Sequence, residues 1–177
     1  MSINLQPILE NSLVLLRPIR VEDFEALYKV ANDPLLWKLH QNPDRYKKSI
    51  FKIFFKDAIH SKGAFVVIDK ATDTIIGSSR FKLSESSEEA IEIGWTFLSR
   101  DYWGGLYNKS FKTLMVDYAF QYFKYILFHV DQHNLRSRKA VQKLGGVLID
   151  KLGPLKHLST VKESGITYVL VRKSQYP

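Results

Sequence analysis

The chain contains no cysteine. That absence excludes disulfides, thiolate metal ligands and a cysteine nucleophile. No apolar run approaches the ~20 residues needed to span a bilayer as a helix. The opening Met-Ser-Ile-Asn-Leu-Gln lacks the basic region and apolar stretch of a secretory signal, so a cytoplasmic location and no membrane partner are expected. There is no Gly-x-Ser-x-Gly elbow, no Walker-type Gly-Lys-Ser/Thr and no paired-cysteine pattern. RNA-module signatures are missing too, because the aromatics fall at core periodicities rather than in a basic, glycine-flanked strand. His129 and His133 straddle a strand end and a turn and share no helical face, so no metal centre is expected. With no internal repeat, low-complexity tract or linker, residues 1–177 read as a single domain.

What is present is an ordinary globular composition, 45% hydrophobic and 25% charged, with a formal net charge of +8. The charge favours anionic partners. Lysine and arginine are densest at 45–56, 136–143 and 172–173, where a solvated basic surface competes with contacts to a phosphorylated cofactor or to nucleic acid.

Ser12 to Arg17 reads as a strand closed by Pro18, and Val21 to Asn32 as an amphipathic helix stopped by Asp33-Pro34. A second helix is expected from about Tyr46 to His60, with Ile50, Ile53, Phe54 and Ile59 on its apolar side. Ala64 to Asp69 and Thr74 to Leu83 are strands joined by the hairpin loop Lys70-Ala71-Thr72-Asp73. In the next strand, Glu89 to Leu98, alternation sends Ile91, Ile93, Trp95 and Phe97 to one face and Ala90, Glu92, Gly94 and Thr96 to the other. Phe111, Leu114, Met115, Tyr118, Ala119 and Tyr122 then recur at helical spacing. Tyr125 to Asp131 returns as a strand. Asn134 caps a short helix, Leu135 to Leu144, which Gly145-Gly146 terminates; Val147 to Lys151 and Ile166 to Arg172 are closing strands around a loop.

Three places carry chemistry. Gly104-Gly105 lies at a strand-to-helix junction, where the backbone can approach a ligand and the helix points free N–H groups and its positive dipole end at an anion; a plain turn is the alternative. Ser137 falls on the inward stripe with Ala140, Val141 and Leu144, as a proton donor or as a serine bonded to its own first turn. Glu92 stands in mid-strand on the small-residue face, as a base or as an edge-exposed charge.

The segments Leu-Leu-Arg-Pro-Ile-Arg-Val-Glu-Asp-Phe, Ile-Glu-Ile-Gly-Trp-Thr-Phe-Leu before Tyr-Trp-Gly-Gly, Asn134-Leu-Arg-Ser137-Arg-Lys-Ala-Val-Gln-Lys-Leu-Gly, and a final Tyr-Val-Leu-Val strand before Pro177 occur in that order. In these the chain resembles the GCN5-related N-acetyltransferase (GNAT) family, within it the branch that acetylates ribosomal-protein N-termini and related amines. The resemblance implies an α/β (α+β) fold. It would have a single mixed twisted sheet of about seven strands, largely antiparallel in its N-terminal half, with splayed central strands and helices on both faces. It implies acetyl-CoA as cosubstrate and no metal. The backbone at Phe97 and Leu98 would pair with the pantetheine arm, and the loop Trp103, Gly104, Gly105, Leu106, Tyr107, Asn108 and Lys109 would hold the pyrophosphate. Asn134 would contact the arm, Ser137 would reprotonate the departing thiolate, and Arg138, Lys139 and Lys143 would reach the CoA phosphates. The family loop usually reads Trp-Gly-x-Gly-Tyr-Ala. Here Leu106 and Asn108 replace the second glycine and the alanine, and Gly105 is expected to take the tight turn.

An amine acceptor is mostly protonated at pH 7, which costs roughly 4–5 kcal/mol of available nucleophile. Glu92 is the hypothesis for the base that takes that proton. With no cysteine for a ping-pong route, direct transfer in a ternary complex is expected. Acceptor contacts are assigned to Trp37, His40 and Tyr46, and selectivity to the 33–60 region and the 152–165 loop. The acceptor is a protein N-terminus or a small amine; a homodimer is the default expectation, and nucleic acid is the less favoured partner. Two rivals stand beside this reading: a non-catalytic acyl-CoA-binding module, and a basic binding protein associated with RNA or the ribosome.

Overall fold

The computed structural model describes residues 3–151, 153–160 and 165–172. Among them, eight strands form one sheet: β1 (Leu9–Glu10), β2 (Val14–Pro18), β3 (Ala64–Asp69), β4 (Thr74–Leu83), β5 (Ala90–Leu98), β6 (Tyr125–Asp131), β7 (Val147–Leu148) and β8 (Gly165–Val171). Their order is β1-β2-β3-β4-β5-β6-β8-β7. Every neighbouring pair is antiparallel except β5 and β6, which run parallel. The strand beyond the expected seven is β1, whose two residues are too few to show a period-two pattern.

Among the described residues five helices flank the sheet: α1 (Phe24–Ala31), α2 (Pro34–Trp37), α3 (Lys48–His60), α4 (Tyr107–Ala119) and α5 (Leu135–Lys143). Helices α4 and α5 cover one face, where Phe111, Met115 and Val141 pack on Val14, Leu16, Ile91, Ile93, Ile126 and Tyr168. Helices α1 to α3 cover the other face over β3 and β4, through Leu27, Trp37, Phe51, Phe54 and Phe55 against Val66, Ile68 and Phe97. A smaller cluster on that second face joins Ala90, Leu127 and Val169 to Ile149 and Leu158.

Several expectations need correction. Helix α3 starts at Lys48, because Pro43–Tyr46 forms a 3-10 turn of its own. Its inward stripe is Phe51, Phe54, Phe55 and Ala58, while Ile53 is 61% exposed. Tyr122 lies beyond the end of α4 and is 44% exposed. The expected strand Val147 to Lys151 shortens to β7, followed by a 3-10 turn, Ile149–Lys151, that turns Ile149 into the small cluster. Within the 152–165 loop, Gly153–Leu158 is a 3-10 turn; Leu152 and residues 161–164 lie outside the described residues, as do Lys173 and Pro177. Gly145, at φ 94°, ends α5 as expected, with the N–H of Gly146 donating to the Val141 carbonyl.

The consequential difference is in β5. Gly94 pairs with Arg80 and Phe97 with Ser78, so Ser79 alone faces both Trp95 and Thr96. This is a β-bulge with Trp95 at φ 51°. The extra residue reverses the alternation. Ile91 and Ile93 face α4, whereas Trp95 and Phe97 face α1 to α3, and Thr96 takes the α4 side instead. A Cβ on Gly77, beside the bulge, would run into the Phe97 carbonyl oxygen. Gly77→Ala is therefore expected to cost about 1–3 kcal/mol in urea unfolding by forcing β4 from β5. An unchanged midpoint would show that the strands are not held so closely.

Candidate active site

Strands β5 and β6 pair only at Ala90, Ile91 and Glu92, opposite Tyr125, Ile126 and Leu127. Beyond Glu92 they part, and a cleft of about 1140 Å³ opens between Ile93 to Leu98 on one side and Phe128 to Asp131 on the other. The charged groups lining it are Lys109, Lys112, Arg136, Lys139 and Lys143 against a single carboxylate, Asp131.

The glycine junction forms one end of the cleft. Gly104 has φ 73°, and a Cβ on it or on Gly105 would meet nothing within 4 Å, so the cleft side of the turn is open backbone. Gly104 takes the tight turn, one residue earlier than expected for Gly105. Leu106 stays in the ordinary helical region at φ −81° and ψ −20°, so replacing the family glycine there creates no strain. The loop is fastened from outside. Trp103 Nε1 donates to the Leu98 carbonyl at 2.8 Å. The hydroxyls of Tyr102 and Tyr107 donate to Asp69 at 3.0 and 3.2 Å. Asp69 also accepts from the Ala71 N–H and the Thr72 hydroxyl. Desolvation works to raise its pKa, but these donors outweigh it and keep the carboxylate ionised. Behind the loop, the first N–H groups of α4 have no acceptor in their own helix.

Across the cleft, Asn134 caps α5 by accepting the Ser137 N–H at 3.1 Å. Asn134 is 6% exposed, and both residues line the cleft. The Ser137 hydroxyl makes no hydrogen bond among the described residues, which disposes of the reading in which it bonds its own first turn. Arg136 crosses from α5: its guanidinium lies 3.7 Å over the Trp103 ring, and Nη2 donates to the Leu36 carbonyl at 3.2 Å.

Lys112, from α4, is 6% exposed and lies beneath the parted strands. Its Nζ donates to Thr96 Oγ1 at 2.6 Å and Ser79 Oγ at 2.9 Å, and it faces the Phe128 ring at 5.6 Å. It forms no ion pair among the described residues. Burial alone pulls its pKa down to about 7.

On the opposite face of the sheet, Glu92 lies 4.0 Å from His129. His129 Nδ1 meets the Thr167 hydroxyl at 2.8 Å, which in turn meets the Ser159 hydroxyl at 2.8 Å. Burial raises the Glu92 pKa to about 7, against the pull of Lys82, and lowers that of His129. His40 also lines the cleft; the Arg45 guanidinium and the Asn42 N–H both face its ring nitrogens. Burial, with help from Arg45, holds its pKa at about 4.

The sequence profile of the acetyltransferase (GNAT) domain matches residues 14–147. The chain belongs to the GNAT acetyltransferase family. Its fold is also that of a GCN5-related N-acetyltransferase from Brucella melitensis, at 16% identity and TM-score 0.77 over 94% of this chain and 79% of that one. A spermidine N-acetyltransferase from Vibrio cholerae, solved with CoA and spermine, aligns at 16% identity and TM-score 0.64, covering 91% and 96% of the two chains. A microcin C7 self-immunity acetyltransferase, solved with acetyl-CoA and AMP, aligns at 17% identity and TM-score 0.70, covering 92% and 94%.

In this GNAT acyltransferase the cleft brings together Phe97, Leu98, Trp103, Gly104, Gly105, Asn108, Lys109, Asn134, Ser137, Lys139, Lys143, Trp37 and His40. It leaves out others. Leu106 is 73% exposed and Tyr107 turns to Asp69, so neither side chain lines it. Arg138 is engaged by Tyr168 and the Gln132 carbonyl. Tyr46 packs beside the core of α1 to α3, away from the cleft. Trp37 is 1% exposed and spends its Nε1 on the Ala31 carbonyl, so it is wall as much as contact. Glu92 does not line the cleft; it stands 4.0 Å from His129, which does. Sequence reasoning missed Lys112, His129, Arg80, Arg45 and Arg136. A lysine inside the apolar stripe of α4, one residue after Phe111, was the signal available for the first.

Lys112 supplies a test of sign. Between about pH 7 and its unfolded value of 10.5, the unfolded chain holds a proton that the native chain does not, so stability rises with pH in that window. Urea unfolding is expected to show the wild-type chain gaining stability from pH 7 to pH 9. In Lys112→Met that slope disappears, and stability at pH 7 increases by about 1 kcal/mol or more. Parallel pH curves for the two proteins would mean that Lys112 is not buried as a free amine.

Proposed function

We propose that the chain transfers the acetyl group of acetyl-CoA to a primary amine by direct transfer in a ternary complex. In this reading it belongs with the branch that takes protein N-termini and small amines. The observation that carries this is the parting of β5 and β6 into a cleft that Gly104 and Gly105 also line. The residues present suit the cosubstrate. Open glycine backbone and the α4 N-terminus favour a pyrophosphate. Lys109, Lys139 and Lys143 supply cations, and the β5 edge offers backbone partners to an amide-bearing arm.

When bound, acetyl-CoA supplies the activated acetyl group. The chain's own residues do the rest. In this reading backbone N–H groups of β5 polarise the thioester carbonyl. Glu92, poised near neutrality, takes the proton from the incoming ammonium, with His129 between it and the cleft. Ser137, with its hydroxyl unengaged, returns a proton to the leaving thiolate, and the cap made by Asn134 fixes the backbone that carries it.

Acetyl-CoA at 100 times its dissociation constant is expected to stabilise the chain by about 2.7 kcal/mol, a rise of a few degrees in Tm. No shift at millimolar concentration would end this proposal. Ser137→Ala should lower kcat about 10- to 100-fold while keeping the acetyl-CoA shift. In the wild-type chain kcat/KM should rise with pH up to about 7 as Glu92 loses its proton, and Glu92→Gln should abolish that limb. If the limb survives in Glu92→Gln, the base is another group.

A further inference from the structure

The wall of the cleft made by Trp37, His40, Gly94 and Trp95 is backed by two arginines. Arg80, on β4, is 6% exposed. Its guanidinium lies 4.7 Å from the Trp95 ring centre and 5.9 Å from that of Phe54. Its Nε and Nη2 are buried and have no hydrogen-bond partner among the described residues. Arg45 lies over the same Phe54 ring at 4.4 Å and over Trp37 at 5.5 Å, and its Nη1 is 3.0 Å from His40 Nε2. Among the described residues neither arginine forms an ion pair. Asp57, exposed on α3, and Glu92 are the acids close enough to act on the charge of Arg80.

A solvated basic surface does not look like this. Two guanidinium groups share one aromatic ring, each disfavouring the other's charge, and two of the donors on Arg80 meet no acceptor among the described residues. Buried donors are nearly always satisfied, and an exception calls for a ligand or a reason. The guanidinium fork fits the paired oxygens of a carboxylate or a phosphate. The acid is equally well placed. Gly94 pairs with Arg80 in the sheet, and Glu92 Oε1 lies 3.2 Å from where a Cβ on Gly94 would stand. The groups that would take up a proton and a negative charge therefore flank one glycine of the cleft wall.

Building on the acetyl-transfer reading, we propose that the acceptor amine also carries a compact anionic group, a carboxylate or a phosphate. This group docks against the Trp95 wall, with Arg80 and Arg45 behind that wall as its counter-charges. The amine end of the same molecule is turned toward Glu92 and His129. Polycationic amines are repelled from such a wall.

The test uses the full chain saturated with CoA, so that the glycine junction is filled. Inorganic phosphate and acetate are titrated separately at constant ionic strength, with tryptophan fluorescence and Tm as readouts. A saturable response to at least one anion is expected, with affinity reduced ten-fold or more in Arg80→Met. Arg45→Met serves as the second variant should the first fail to fold. Whichever anion responds names the group, carboxylate or phosphate. No saturable response to either anion, or equal affinity in the variants, overturns the proposal. The CoA shift measured alongside separates the two readings. Its presence without anion binding removes the anionic acceptor alone, and its absence removes acetyl transfer together with everything built on it.

Discussion

The molecule is organised around one surplus residue in a strand. Because Ser79 faces both Trp95 and Thr96, β5 cannot keep one face toward α4 along its whole length. Its first three residues pair with β6, the rest part from it, and the bulge lies in the part that leaves. A regular strand would have put Trp95 and Phe97 under α4 with Ile91 and Ile93 and would have left Thr96 and Leu98 on the opposite side. Instead Phe97 completes the aromatic packing of Trp37, Phe51 and Phe54, while Thr96 reaches Lys112. The bulge thus decides which β5 side chains stand on each face of the sheet beside the cleft.

The glycine junction depends on a second restraint that sits outside the cleft. Asp69 ends β3 and accepts from its own hairpin loop and from two tyrosines on either side of Gly104–Gly105. An ionised acceptor with four donors ties the loop to the end of β3, which restrains the open glycine backbone. Open backbone with nothing over it is useful for gripping an anion only if it does not have to be ordered by the ligand.

Much of this was legible from residue pattern, and the parts that were not share a cause. Tyr125–Asp131 and the Asn134 cap were readable because periodicity and capping are local. The stripe of α3 was misplaced because Ile and Phe are equally apolar, and only the start of the helix, set by the 3-10 turn through Pro43, decides which of them face inward. The alternation of β5 failed at Trp95 because a bulge depends on what the partner strand offers, and Ser79 gives no local sign of it. The glycine loop was recognised while its positive φ was put one residue late, since two adjacent glycines permit the turn at either. Lys112, Arg80 and Arg45 escaped because a cation looks like surface until the elements packed over it are known.

Those cations also set the character of the site. A buried lysine held by two hydroxyls, and a buried arginine held by two rings, are each worse for folding than the apolar residue that would fill the same space. Near Lys112 the positive charge faces the α4 side of the cleft, where a phosphorylated cosubstrate would lie. Near Arg80 it faces the other side, where an acceptor would enter. The carboxylate that could neutralise Arg80 is Glu92, yet burial leaves Glu92 about half-protonated near pH 7. A firm ion pair between them would remove the proposed base and the proposed anion site together. Holding them apart across Gly94, each incompletely satisfied, keeps both available.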